Sequence, residues 1–163
     1  MLLHGDTIDG NVTLRGGGGQ DYYCSPKGAV FSAFFSPVYS TLEDSSVGCD
    51  VTYSGYQSCW LGLTRTRVEG NVKVNNNALG DPDAVEILAN TIDGNISCRG
   101  NQFVDASVTP ATFTPHPPFD STENPNGDLY PRSWEPNTVH GQRSGQCKVA
   151  PPLTIGGTSP GAF

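Results

Sequence analysis

The sequence predicts an all-β fold, a single-stranded parallel β-helix (β-solenoid) of about five to six short coils. Three observations carry that prediction. The phrase Thr91-Ile92-Asp93-Gly94-Asn95-Ile96-Ser97-Cys98-Arg99-Gly100-Asn101 recurs at residues 7–16 and 67–77. It recurs more weakly at 46–55, where Cys49 replaces the central glycine, and as a half copy at 138–143. Internal repetition of this kind decides a fold before any other signal. Within each copy the apolar residues stand at even spacing, as in Ile92, Ile96 and Cys98 or Val68, Val72 and Val74. That is the period of strands with one face turned inward. The anchors Val47, Val68 and Ile92 lie 21 and 24 residues apart, the length of one solenoid turn. No sustained i, i+3, i+4 pattern competes with this reading.

Each part of the repeat has a local reason. Gly10, Gly70, Gly94 and Gly141 follow the first anchor and read as bend glycines, expected to take a left-handed conformation between two short strands. The residue after them gives Asn11, Asp50, Asn71 and Asn95, a predicted ladder of side-chain hydrogen bonds from coil to coil. A second apolar run, Cys59-Trp60-Leu61-Gly62-Leu63 in one coil and Ala84-Val85-Glu86-Ile87-Leu88-Ala89 in the next, supplies a further face. Such units cannot bury an apolar face alone, and stacking at about 4.8 Å does it for them.

Along the chain, the first copy runs into Gly16-Gly17-Gly18-Gly19, a turn. Residues 20–45 hold Tyr22, Tyr23, Phe31, Phe34, Phe35 and Tyr39, aromatics that fill or cover a core or offer a sugar-stacking platform. Ile8 and Val47 lie 39 residues apart, which reads as nearly two coils with a degenerate copy around Ala29-Val30-Phe31. Gly80-Asp81-Pro82-Asp83 is a turn signal. The pattern stops after Asn101, and residues 102–135 form a Pro-rich insertion expected to lie as a loop across the stack or its end. The domain organisation is therefore a solenoid over 1–148 and a flexible C-terminal extension over 149–163.

The 163 residues suffice for one domain with a continuous core. A net charge of −7 with scattered basic residues argues against nucleic-acid binding. Five cysteines beside few lysines point to an oxidising compartment. No run reaches the length of a membrane span or a signal peptide. Met1-Leu2-Leu3 leads straight into a repeat, so the start reads as a cut through a solenoid or as a coil capped by a partner.

Residues 90–101, the Pro-rich stretch, Asn137-Thr138-Val139-His140-Gly141 and Gly145-Gln146-Cys147 together resemble the end of a group of secreted actinobacterial repeat proteins. The likeness covers roughly residues 65 to 148, with Gln142-Arg143 standing where the group has Asn followed by Lys. It implies an extracellular or cell-surface location and a solenoid fold, and leaves activity unspecified. It also implies a Cys98–Cys147 disulfide closing a 49-residue loop, worth about 3 to 4 kcal/mol on the chain-entropy account. Cys24, Cys49 and Cys59 remain: Cys49–Cys59 would staple one coil, or Cys24 would pair with either, leaving one thiol free or bonded to another chain.

Few residues offer chemistry. Glu69 and Asp93 share the third repeat position with Asp9, Gly48 and His140, so stacking would set two carboxylates together, a catalytic or Ca²⁺-binding pair. No other cofactor is implied, and the absence of a CxxC or His/Cys cluster gives no metal-ligand set. The ninth position, Arg15, Ser54, Asn75 and Arg99, would hold an acidic sugar or form a solvated edge. His4, His116 and His140 lie far apart in sequence. The sequons at Asn11 and Asn95 fall on the ladder and are explained by the repeat. A flat threonine row of the ice-binding kind is broken by Lys73. The expected function is a non-catalytic extracellular structural or surface-assembly module that associates with itself or another cell-surface protein, in fibres or a layer. The alternative is a carbohydrate-binding or carbohydrate-cleaving β-helix, with a glycan as partner.

Overall fold

The computed structural model describes residues 1–24, 39–80, 85–115 and 137–148. Among them are eighteen strands and no helix. The first winding contributes β1 (Leu2–His4), β2 (Thr7–Ile8) and β3 (Val12–Arg15). The second gives β4 (Tyr39–Glu43), β5 (Ser46–Val47), β6 (Val51–Ser54) and β7 (Gln57–Ser58). The third gives β8 (Trp60–Thr64), β9 (Arg67–Val68), β10 (Val72–Asn75) and β11 (Ala78–Leu79). The fourth gives β12 (Val85–Leu88), β13 (Thr91–Ile92), β14 (Ile96–Arg99) and β15 (Gln102–Asp105). After β16 (Thr112–Pro115), β17 (Thr138–Val139) and β18 (Arg143–Gly145) begin a fifth.

The second, third and fourth windings each visit four sheets in turn, and the first and fifth contribute to three and two of them. Sheet A runs β1-β4-β8-β12, sheet B β2-β5-β9-β13-β17, sheet C β3-β6-β10-β14-β18 and sheet D β7-β11-β15-β16. All pairs are parallel except β15 with β16. The chain is thus a stack of parallel sheets in a β-solenoid arrangement. The register explains the repeat: Ile8, Val47, Val68, Ile92 and Val139 are successive neighbours in sheet B. In sheet C the inward residues Val51, Tyr53, Val72, Val74, Ile96 and Cys98 are buried, while the alternate residues are not. Each such aliphatic side chain contributes roughly 1.5–3 kcal/mol of gross burial energy. Tyr53 also donates its hydroxyl to the Gly62 carbonyl at 3.2 Å, and burial pushes its pKa up. Sheet A is buried on both faces along β8.

Several expectations are corrected here. Ile8 pairs directly with Val47, and β1 and β3 pair directly with β4 and β6, so the 39 residues between the anchors make one winding and an insertion. A coil lodged between them would have separated these strands by twice the usual spacing of about 4.8 Å. The strand pattern also continues past Asn101. β15 joins sheet D, and Ser107 ties its N–H and hydroxyl to Asp105 before β16 returns as an exposed antiparallel edge. The rest of the Pro-rich insertion after residue 115, His116, the Ala29-Val30-Phe31 segment, most of the turn at 80–83 and the C-terminal extension lie outside the described residues.

The bend glycines are correct in place and wrong in reason. Left-handed residues line two other corners: Gly5, Asp44, Arg65 and Ala89 between sheets A and B, and Gly16, Gly55, Asn76 and Gly100 between C and D. At the B–C bend of the third to fifth windings glycine is set by contact with the winding before, whereas in the second winding Cys49 fills the same position. A Cβ on Gly94 would stand 2.5 Å from the Gly70 carbonyl oxygen, and one on Gly141 2.5 Å from that of Gly94. Gly10, in the first winding, meets nothing within 4 Å.

The disulfides are Cys24–Cys59 and Cys98–Cys147, and Cys49 is an exposed thiol. A Cys49–Cys59 bridge does not form, because Cys49 faces out at the B–C bend and Cys59 is buried at the diagonally opposite D–A corner. Two such corners cannot approach the Cα separation of under about 7 Å that a disulfide needs. Two disulfides are what an oxidising environment leaves in a small domain. Cys24 belongs to a strap that follows the first winding and runs along sheet D. Gly17 and Gln20 hydrogen-bond Gln57, the Tyr23 hydroxyl reaches the Ala106 carbonyl at 3.5 Å, and Tyr22 meets Phe113 edge to face at 6.2 Å.

Candidate functional site

The outward columns are where chemistry would have to lie, and the windings place each side chain over its equivalent. In the third-position column Asp93 is not left to pair with Glu69. One of its oxygens faces His140 Nδ1 at 3.0 Å and the other accepts from Arg67 at 2.5 Å. Glu69 is exposed at the bend. The Asp93 carboxylate of the candidate catalytic or Ca²⁺-binding pair is therefore engaged by Arg67 and His140, each link bridging windings.

Beside it runs the amide column. The Asn11 side-chain oxygen accepts the Asp50 N–H at 3.0 Å, Asp50 accepts the Asn71 N–H at 2.8 Å, Asn71 accepts that of Asn95 at 3.0 Å, and Asn95 accepts that of Gln142 at 2.8 Å. Asn71 and Asn95 also donate their amides one winding back. The backbone N–H of Asn71 holds the Asp50 carboxyl below the usual carboxylate range, with Lys73 3.4 Å away adding to it.

Two further ladders are buried. Asn77 accepts the Tyr56 N–H, Asn101 accepts that of Asn77 and Gln146 that of Asn101, while Asn101 also donates to the Val74 carbonyl at 2.7 Å. At the A–B corner Asn90 accepts the Thr66 N–H at 2.9 Å and Asn137 that of Asn90 at 3.1 Å. Buried backbone groups at corners cannot reach water, so these side chains supply the partners they need. Their signal was present as Asn two residues before Ile92 and Val139, and three after Val74 and Cys98.

The same A–B corner gathers His4, Glu43, Asp44 and Arg65, none of which the repeat phrase contains. The buried Arg65 side chain contacts Asp44 Oδ1 at 2.7 Å and Oδ2 at 2.8 Å, and Glu43 Oε2 at 3.0 Å. Its hydrogen bonds keep the Asp44 carboxyl below its ordinary value, and the same contacts raise the arginine's. His4 Nδ1 lies 3.7 Å from Glu43 Oε1 and 3.4 Å from Asp44 Oδ2. In the ninth-position column Arg15 and Arg99 are separated by Ser54 and Asn75. Three strand spacings of about 4.8 Å put them too far apart to grip one carboxylate. No known protein family, curated protein or solved structure matches the chain.

Proposed function

We propose that the chain is a non-catalytic structural module, a single-stranded parallel β-helix that extends by adding coils from another copy of itself at a surface outside the cell. One observation carries this reading. In the first winding Leu3, Ile8 and Leu14 are only partly buried, while their register partners Leu42, Val47 and Tyr53 are 0% exposed. Among the described residues β1, β2 and β3 each pair with a strand on one side only, so backbone donors and half-covered apolar side chains face the same way. Such an edge accepts another strand. The outward carboxylate Asp93, already bonded to Arg67 and His140, serves cohesion between windings. The two disulfides support an extracellular setting, and kinship with secreted actinobacterial repeat proteins belongs to the same reading. Sedimentation velocity over a dilution series of the oxidised Cys49→Ser chain tests it. Concentration-dependent species larger than the monomer are expected, and a monomer at every concentration would refute it.

A carbohydrate-binding role has a separate observation behind it. Tyr23 and Phe113 are 44% and 51% exposed on the sheet D side, two aromatic rings suited to stacking on sugars. Glycan binding lost in a Tyr23→Ala, Phe113→Ala double variant would favour that role over assembly. Glu69→Gln with Asp93→Asn is expected to leave any such binding unchanged.

A further inference from the structure

We propose that His4, Glu43 and Asp44 bind a divalent transition-metal ion of the zinc class at the corner between sheets A and B. Each residue offers one donor atom, and the three lie within 4.8 Å of one another. The separations of 3.4 and 3.7 Å from His4 Nδ1 to the two carboxylate oxygens exceed the hydrogen-bond range of about 2.7–3.2 Å. The 3.4 Å separation matches what a shared ion imposes, and the 3.7 Å one lies slightly beyond it. Bonds of about 2.0–2.1 Å at tetrahedral to trigonal angles hold N and O ligands roughly 3.3–3.5 Å apart. The imidazole favours zinc, cobalt or nickel over calcium and magnesium.

The corner is also organised around these donors. β1 and β4 pair in register, so His4 stands directly beside Glu43. Arg65, whose side chain is 6% exposed, grips Glu43 by Oε2 and leaves Oε1 on the histidine side. It acts as the outer partner that fixes ligand orientation. Two carboxylates and one guanidinium leave a net negative corner for a dication.

A second observation comes from sheet A itself. Thr64 is the register partner of Glu43 on β8, and Thr41 precedes Glu43 by two residues, so both share its face of the sheet. Both residues are buried, at 1% and 0% exposure, and their hydroxyls have no hydrogen-bond partner among the described residues. Buried hydroxyls without partners are rare, and two flanking one candidate ligand mark a place completed by ion-bound water.

The test uses the untagged, oxidised chain with Cys49→Ser, which removes the free thiol as a competing ligand. Co²⁺ is titrated by visible absorption, and Zn²⁺ by competition with a chromophoric chelator. One ion per chain is expected, with affinity lowered at least tenfold by His4→Gln and by Glu43→Gln, and unchanged by His140→Gln. His4 is largely exposed, so its replacement leaves the fold intact and the comparison interpretable. Absence of binding, binding indifferent to His4→Gln, or equal loss in His140→Gln would each overturn the proposal.

Discussion

Gly94→Ala and Gly10→Ala make a matched pair that separates two accounts of the same glycine column. The added Cβ at position 94 would meet the Gly70 carbonyl oxygen at 2.5 Å and the Asn71 side-chain oxygen at 2.8 Å. The first is backbone held by the Gly94 N–H to Gly70 hydrogen bond at 3.0 Å, and the second accepts the Asn95 N–H, so neither yields cheaply. Overpacking of this kind costs about 1–3 kcal/mol, and rigid backbone on the far side puts Gly94→Ala near 3. At roughly 2–4 °C per kcal/mol for a chain of this size, the melting temperature should fall by about 6–12 °C. Gly10 has no atom within 4 Å and no left-handed φ, so Gly10→Ala should change stability by no more than about 0.5 kcal/mol. Thermal melts followed by far-ultraviolet circular dichroism, with urea titrations to check the m value, read both. Equal losses in the two variants would mean that backbone conformation selects glycine, and a neutral Gly94→Ala would mean that the windings are not in contact there.

Asn101→Ala should be among the most damaging single changes, since it strips partners from the Asn77 N–H and the Val74 carbonyl, at about 1–3 kcal/mol for each buried group left unpaired; urea denaturation measures it. Acid should weaken the stack through Asp44 and Asp50, whose folded pKa values lie below their unfolded ones. Their contribution is full above the ordinary carboxylate value of about 4 and is lost as pH falls through the lower folded values, and Arg65→Gln should flatten the slope of a pH series of melts between 5 and 2. Reducing the disulfides should cost about 3 to 4 kcal/mol for each loop closed, at sequence separations of 35 and 49, and Cys98→Ser with Cys147→Ser should reproduce one share of it.

What could be read beforehand follows from which forces leave a periodic trace. Inward packing repeats every two residues, so Val68, Val72 and Val74 named their own neighbours above and below, and Asn71 and Asn95 followed because they sit between such anchors. The buried Asn90 and Asn137 lie just ahead of the repeat phrase, where spacing of apolar residues carries no information. Glycine at a bend has two explanations, φ and close approach, and only the windings themselves distinguish them at Gly94. Arg65 meets Asp44 and Glu43 from 21 and 22 residues away, and His4 from a winding whose spacing to the next is broken by an insertion. Glu69 and Asp93 were placed in one column, but the neighbour that pairs with Asp93 could be any of several charged residues until the register is known. Arg67 and His140 prove to be it.

Hydrogen–deuterium exchange at two protein concentrations bears most directly on assembly through the open first winding. The account predicts that amides of Thr7–Ile8 and Val12–Arg15 other than Val12, whose N–H already bonds the Asp50 carbonyl, gain protection as concentration rises, while those of Arg67–Val68 and Val72–Asn75, in strands paired on both sides, do not change. Exchange of the first winding that is independent of concentration would contradict it.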